Sequence, residues 1–134
     1  MEIQTQVCTL EQAKRLKCLN VIQRSYFSHI VVGGETMVIP TESAKLYRDK
    51  IEIYSAFTLS ELWKAINWDL VSVSAPYKKD RHWWLMTNSD DGDFHDDNPV
   101  IASADSLIYL LERGKVKPEE VNNRLNPFYI KAAV

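Results

Sequence analysis

The stretch Ser25-Tyr-Phe-Ser-His-Ile-Val-Val-Gly-Gly-Glu-Thr-Met-Val-Ile39 decides the fold class of this chain. It holds two runs rich in β-branched and aromatic residues, and Gly33 and Gly34 join them. A two-residue primed turn needs positive φ at both positions, which glycine adopts without steric penalty. The stretch therefore predicts an antiparallel β-hairpin, and Pro40 closes its second strand.

Helix starts stand on both sides of this hairpin. Each is a Thr followed three residues later by Gln or Glu, the spacing of a capping box, and apolar residues at helical spacing follow it. The boxes are Thr9 with Gln12 and Thr58 with Glu61, and the predicted helices span about residues 10–19 and 59–67. Helices thus alternate with β-rich runs without forming regular βαβ units, which favours an antiparallel sheet.

The rest of the chain adds further predicted elements. Alternating residues predict strands at about 50–54, 70–74 and 82–86, and the acidic stretch 89–99 is typical of a loop. Ser103 is expected to cap an apolar helix that Gly114 ends, and Pro118 is expected to start a last helix. Pro127 should end that helix and leave Phe128-Tyr129-Ile130 as an apolar tail.

Length and composition indicate a single α+β domain over residues 1–134, with 126–134 as a candidate tail or arm. We expect a mostly antiparallel sheet of about four to six strands, with three or four helices packed mainly on one face. The 16 basic and 18 acidic residues give a formal charge of −2. That charge provides neither the basic field of a duplex-DNA binder nor a strongly acidic surface.

Cysteine usage and the N-terminus bear on the compartment. The chain has two cysteines, Cys8 and Cys18, which is too few for a secreted disulfide framework, and both are expected to be buried, inert thiols. No basic and apolar secretory leader and no run of about 20 apolar residues stands out. The sequence predicts a cytoplasmic protein without membrane association or a cofactor.

Three segments together resemble a loose group of small uncharacterised proteins encoded by bacterial phages and other mobile elements. They are Cys8-Thr-Leu-Glu-Gln-Ala-Lys-Arg-Leu-Lys17, Tyr54-Ser-Ala-Phe-Thr-Leu-Ser-Glu-Leu62 and Ala102-Ser-Ala-Asp-Ser-Leu-Ile-Tyr-Leu-Leu-Glu-Arg-Gly114. Asn20 stands where that group tends to have Gly, and Phe57 where it tends to have Pro. The resemblance implies a setting in the bacterial cytoplasm and supplies no activity.

Cations beside aromatic rings mark residues 77–84 as a candidate ligand-binding hairpin. Such a pattern suits single-stranded nucleic acid, with cations on phosphates and rings stacked on bases. The candidate binding residues are Lys78, Lys79, Arg81, Trp83 and Trp84. Strand alternation sends the two tryptophans to opposite faces, so at least one is expected in the core. Charged residues at a hairpin tip are also ordinary turn residues, and this alternative stays open.

Carboxylates crowd the stretch 90–97. Hard cations such as Ca²⁺ or Mg²⁺ prefer oxygen ligands, so Asp90, Asp91, Asp93 and Asp96 are weak candidate ligands. The spacing departs from an EF-hand loop, because counting from Asn88 places Gly92 one position early. A solvated acidic loop is the favoured interpretation, and a metal-dependent phosphoesterase is a third hypothesis.

Nucleophilic catalysis finds little support in the sequence. Cys8 or Cys18 could meet a histidine in space, but no local signature marks either thiol. His29 alternates with Phe27 and Val31, which is typical of a hydrogen-bonded histidine within a sheet. The sequence therefore favours a non-enzymatic module that binds another protein, itself included. A single-strand nucleic-acid binder is the alternative.

Overall fold

A computed structural model describes residues 3–47, 52–74, 83–87 and 93–133 of the chain. It has α+β architecture, as predicted, with helices and antiparallel strands interspersed along the chain. The helices are α1 (Leu10–Cys18), α2 (Thr41–Ala44), α3 (Leu59–Ala65), α4 (Pro99–Glu112) and α5 (Pro118–Ala133). The strands are β1 (Phe27–Val32), β2 (Glu35–Pro40), β3 (Glu52–Ala56), β4 (Val71–Ser74), β5 (Trp83–Thr87) and β6 (Asp93–Asp96). Short 3-10 turns cover Ile3–Thr5 and Lys45–Tyr47.

The predicted hairpin is present as β1 and β2. Gly33 and Gly34 have φ of 58° and 84°, and Val32 lies opposite Glu35 across the turn. β3 pairs antiparallel with the other edge of β1, which gives the order β2-β1-β3. β1, as the central strand, carries the buried Ile30.

The remaining strands form a second, separate sheet in the order β4-β5-β6. The prediction of one sheet with four to six strands is therefore wrong, because each described sheet holds three. β6 also replaces the predicted loop: Phe94 pairs with Leu85, and Asp93 pairs with Met86. Pairing to β5 supplies the hydrogen bonds that make a strand of this charged segment, against its composition.

Side-chain caps define where three helices begin. Both predicted capping boxes are present, so Thr9 starts α1 and Thr58 starts α3. α4 begins earlier than predicted, because Asn98 and not Ser103 is its N-cap: the Asn98 side chain accepts a hydrogen bond from the Val100 N–H at 2.9 Å. Ser103 lies buried within α4.

The last two helices end in different ways. α4 ends where predicted, and Gly114 follows it with φ of 69°. α5 begins at Pro118 as predicted, but it continues to Ala133, so Pro127 does not end it. A proline inside a helix removes one N–H and crowds one carbonyl, yet the flanking residues keep helical geometry here.

One hydrophobic cluster joins the helices to the second sheet. Leu85 of β5 and Val71 of β4 pack in it with Leu16 of α1, Leu62 of α3 and Leu107 of α4. The buried Gln12 side chain also links α1 to α4, since its amide donates to the Ile101 carbonyl and to the Asp105 carboxylate. These contacts fit the predicted single domain, which stays a prediction. Among the described helices, none has the length and apolar character needed to cross a membrane.

Candidate functional site

The predicted basic and aromatic hairpin is built on two strands that do pair. β4 and β5 lie antiparallel, so residues 75–82 connect paired strands. Lys78, Lys79 and Arg81 lie outside the described residues, as do the side chains of Trp83 and Trp84. In register, Trp83 lies opposite Asp96 and Trp84 opposite His95. The strand next to the predicted binding residues thus carries acidic residues, which repel phosphate.

The acidic segment is partly within the described chain. Asp90 and Asp91 lie outside it, and Asp93 and Asp96 are the two ends of β6. The Asp96 carboxylate accepts a hydrogen bond from the Asn98 N–H at 2.9 Å, which shapes the turn into α4. Within the described ranges, no three His, Cys, Asp or Glu side chains come together as metal ligands. Asp96 therefore has a structural role at the start of α4.

Cys8 and His29 meet through the backbone and not through the thiol. The His29 Nε2 atom lies 2.7 Å from the Cys8 carbonyl oxygen, which makes His29 the hydrogen-bonded sheet histidine that was predicted. The Cys8 thiol donates to the Ser55 carbonyl at 3.9 Å, and burial raises the pKa of Cys8 to about 12. A thiol held in this protonated form is a poor nucleophile.

Cys18 has the opposite environment. It ends α1 and is exposed, so the prediction that both thiols are buried is wrong for this residue. The reason is its position on the helix: Ala13 and Leu16 occupy the buried face of α1, and Cys18 does not share it. One thiol of the chain is thus open to reagents and one is closed.

The starts of α3 and α4 border an open cleft of about 810 Å³. Its polar lining includes Thr58, Ser60, Asn98 and the half-exposed Tyr26. The two capping side chains are already engaged, because Thr58 accepts from the Glu61 N–H and Asn98 accepts from the Val100 N–H. Among the described residues that line this cleft, none has an acidic or basic side chain.

The outer edge of β3 is covered at its C-terminal end. The Cys8 N–H donates to the Phe57 carbonyl at 2.9 Å, and Val7 forms an isolated bridge with Thr58. At Ser55 the N–H donates to the Gln23 Oε1 atom at 2.9 Å, and the carbonyl accepts the Cys8 thiol. Side chains and the Val7–Cys8 segment thus occupy backbone groups that would otherwise be free to pair.

The outer edge of β2 has no hydrogen-bonded cover in the described part of the chain, although the Ile3–Thr5 turn contacts this strand. Because both backbone groups of Ser55 point outward, Ser55 and its neighbour Ser28 form a non-hydrogen-bonded pair. Ser28 then exchanges its backbone hydrogen bonds with Ile39 of β2. Because backbone groups alternate in direction along a strand, the N–H and C=O groups of Thr36 and Val38 point outward, away from β1. No hydrogen bond within the described ranges reaches the backbone of Thr36 or Val38 from that side.

Exposed apolar side chains gather around the same hairpin. Of the six large apolar side chains that are exposed in the described ranges, five belong to the β1–β2 hairpin, to the residue before it, to the Ile3–Thr5 turn that contacts β2, or to the Lys45–Tyr47 turn that packs on α2. These five are Ile3, Tyr26, Met37, Leu46 and Tyr47, and Leu46 is 86% exposed. We call this set the hairpin patch. Contiguous exposed apolar groups mark protein-binding surfaces, so this set is a candidate for one.

Comparisons with protein families, with curated proteins and with solved structures give no match to this chain. The resemblance to small phage-encoded proteins therefore stays a prediction. The hairpin patch was not predicted from the sequence, because exposure of Met37 and Leu46 depends on what packs over them. The only local signal was the run of β-branched and apolar residues in β2, which reads equally well as core.

Proposed function

We propose that this chain is a non-enzymatic interaction module that binds a second copy of itself through the region around its β1–β2 hairpin. The observation that carries the proposal is the hairpin patch, which holds five of the six large apolar side chains that are exposed in the described ranges. Burial of apolar area drives most protein association, and exposed clusters of this kind mark interfaces. The cytoplasmic, phage-related setting that the resemblance implies belongs to the same proposal.

The C-terminal part of α5 is a second surface within this proposal. Phe128, Tyr129 and Ile130 continue a helix whose earlier residues Val121 and Leu125 are buried. Beyond Leu125 the side chains lie outside the described residues. We propose that this end of α5 adds apolar contact area to the self-associated form, as a helical arm and not as an extended tail.

Analytical ultracentrifugation at tens of micromolar tests the proposal. We expect a concentration-dependent dimer, and we expect Leu46→Ser to weaken it at least several-fold without lowering thermal stability, because Leu46 is 86% exposed. Trp68→Phe is the matched control: Trp68 is exposed outside the hairpin patch, and Phe keeps a ring against Trp63. A strict monomer over this range would refute self-association.

Single-strand nucleic-acid binding is the second candidate function. The pairing of β4 with β5 favours it, since it makes Lys78, Lys79 and Arg81 part of a connection between paired strands. Cations on phosphates, combined with aromatic rings stacked on bases, are the contacts by which proteins hold single strands. Asp96 lies opposite Trp83, and its carboxylate would repel phosphate, so nucleic-acid binding is placed second to self-association.

A titration of a fluorescent single-stranded oligonucleotide at two salt concentrations tests this candidate. Binding should weaken with salt and should be lost in a variant carrying Lys78→Ala, Lys79→Ala and Arg81→Ala, because phosphate contacts release counterions. The charge-matched control replaces three exposed lysines elsewhere, Lys64, Lys115 and Lys117, with Ala. Equal affinity of both triple variants would rule out the hairpin as the binding site.

A further inference from the structure

We propose that the two copies pair through the outer edge of β2, antiparallel about a two-fold axis at Met37, so that their sheets join into one six-stranded sheet. This inference rests on the self-association proposed above and names its geometry. The two edges of the first sheet differ in the way such a role requires. The C-terminal end of β3 is closed by the Val7–Cys8 segment and Gln23, whereas Thr36 and Val38 of β2 present outward backbone groups in the described structure.

The direction of those groups is supported by two further features. Pro40 lies opposite Phe27 and has no N–H to donate. It therefore suits a position whose backbone groups point outward, because an inward position would have to donate a hydrogen bond to β1. Across the turn, Val32 and Glu35 flank Gly33 and Gly34, and a two-residue primed turn makes the flanking residues a hydrogen-bonded pair. The backbone N–H and C=O groups of Glu35 therefore point inward toward β1, and those of Thr36 point outward.

An open edge is a template for another strand, and the register decides which strand fits. A two-fold pairing centred on Thr36 would place Val38 opposite Gly34, which has a turn conformation with φ of 84°. A pairing centred on Val38 would place Thr36 opposite Pro40, which has no N–H to donate. Only the pairing centred on Met37 lets Thr36 and Val38 of each copy exchange both backbone hydrogen bonds.

Side chains in this register are compatible with a second copy. Met37, 41% exposed, lies directly opposite Met37 of the other copy in a non-hydrogen-bonded pair, where side chains approach most closely. Glu35 lies opposite the uncharged Ile39, so no like charges face each other. An edge pairing alone buries less area than a stable dimer needs, and the hairpin patch offers exposed apolar groups beside it.

Disulfide trapping tests the register directly. We expect Met37→Cys, in a chain that also carries Cys18→Ser, to form covalent dimers under mild oxidation. Residues facing each other in a non-hydrogen-bonded pair have Cα atoms about 4.5 Å apart, within the disulfide range of roughly 4.4–6.8 Å. The matched control is Glu35→Cys on the same exposed stretch of strand. Its two copies would lie four positions out of register, about 13 Å apart, and should not cross-link.

Charge exchange provides a second measurement. Met37→Lys and Met37→Glu should each weaken dimerisation several-fold, because like charges then face each other, and mixing the two variants should restore it. Dimers that persist without a cross-link at residue 37, or that cross-link at residue 35, would overturn the β2 pairing while leaving self-association intact. A monomer in every measurement would overturn both.

Discussion

His29 is a buried imidazole that faces the carbonyl of Cys8, the residue that covers the β3 edge. A neutral imidazole can donate its one N–H to that carbonyl while its other ring nitrogen carries no proton. Burial disfavours the charged form, and this lowers the pKa of His29 below the ordinary value of 6.5, although the Cys8 carbonyl partly opposes the shift. His29 is therefore harder to protonate in the folded state than in the unfolded state.

We predict that stability falls as the pH drops below about 6.5. Below this pH the unfolded chain binds a proton at His29 and the folded chain does not. Proton binding lowers the free energy of the unfolded state, and the folded state becomes less stable relative to it. The contribution of His29 to the free energy of unfolding is fully present above pH 6.5. It is lost as the pH falls toward the lowered pKa of His29 in the folded state. Urea unfolding from about pH 7.5 to 5.5 measures it.

His29→Gln should flatten this pH dependence, because Gln keeps a donor for the Cys8 carbonyl and does not titrate. His95→Gln is the matched control, since it removes an imidazole from an exposed position of β6. A slope that is unchanged in His29→Gln, or lost in His95→Gln, would assign the effect to other groups.

At the scale of elements, Asn98 sets the start of α4 and ties it to the N-terminal segment. Its Oδ1 atom accepts from Val100, and its Nδ2 atom donates to the Thr5 carbonyl at 2.7 Å. Asn98→Ala removes both and should lower the free energy of unfolding by about 1 kcal/mol, the usual value of an N-cap. Asn98→Asp keeps the acceptor and should cost less. Chemical denaturation compares them, and equal losses would contradict the capping role.

Local chemistry explains which elements could be predicted. The Gly33-Gly34 turn and the Thr9 box act within a few residues, so the hairpin and α1 follow from the sequence. β6 could not be predicted, because its hydrogen bonds come from β5 and its composition is typical of a loop. The start of α4 could not be predicted from the sequence, because Ser103 and Asn98 can both cap a helix, and the structure has Asn98 in that role.

The candidate surface was less predictable than the fold. Whether an edge is open depends on distant residues: Gln23 and Cys8 bond to Ser55 of β3 across more than thirty positions of chain, and no hydrogen bond in the described ranges closes the outer edge of β2. The sequence drew attention to Lys78 and Trp83 because charge and aromatic content can be read locally. Exposure of Met37 is a tertiary property, so it appears only in the folded structure.

On the scale of the whole molecule, the two sheets share no strand, and the helices connect them. α1 packs on β3 of the first sheet, and α4 packs on β5 and β6 of the second. α1 and α4 are joined in turn by Gln12 and by the ion pair of Arg15 with Glu112. Within the described residues, these helix contacts connect one sheet to the other.

We predict that Leu85→Ala, in the second sheet, speeds amide exchange in β1 of the first. Leu85 is fully buried in the shared cluster, so its truncation should lower the free energy of unfolding by about 2–5 kcal/mol. If the chain unfolds as one cooperative domain, amides of Ile30 and its neighbours lose the same protection, and hydrogen exchange by mass spectrometry measures this. Ser72→Ala, at an exposed position of β4, is the control that should leave both sheets unchanged. Unaltered exchange in β1 beside faster exchange in β5 would divide the chain into two units, because local unfolding of the second sheet would then leave the first intact.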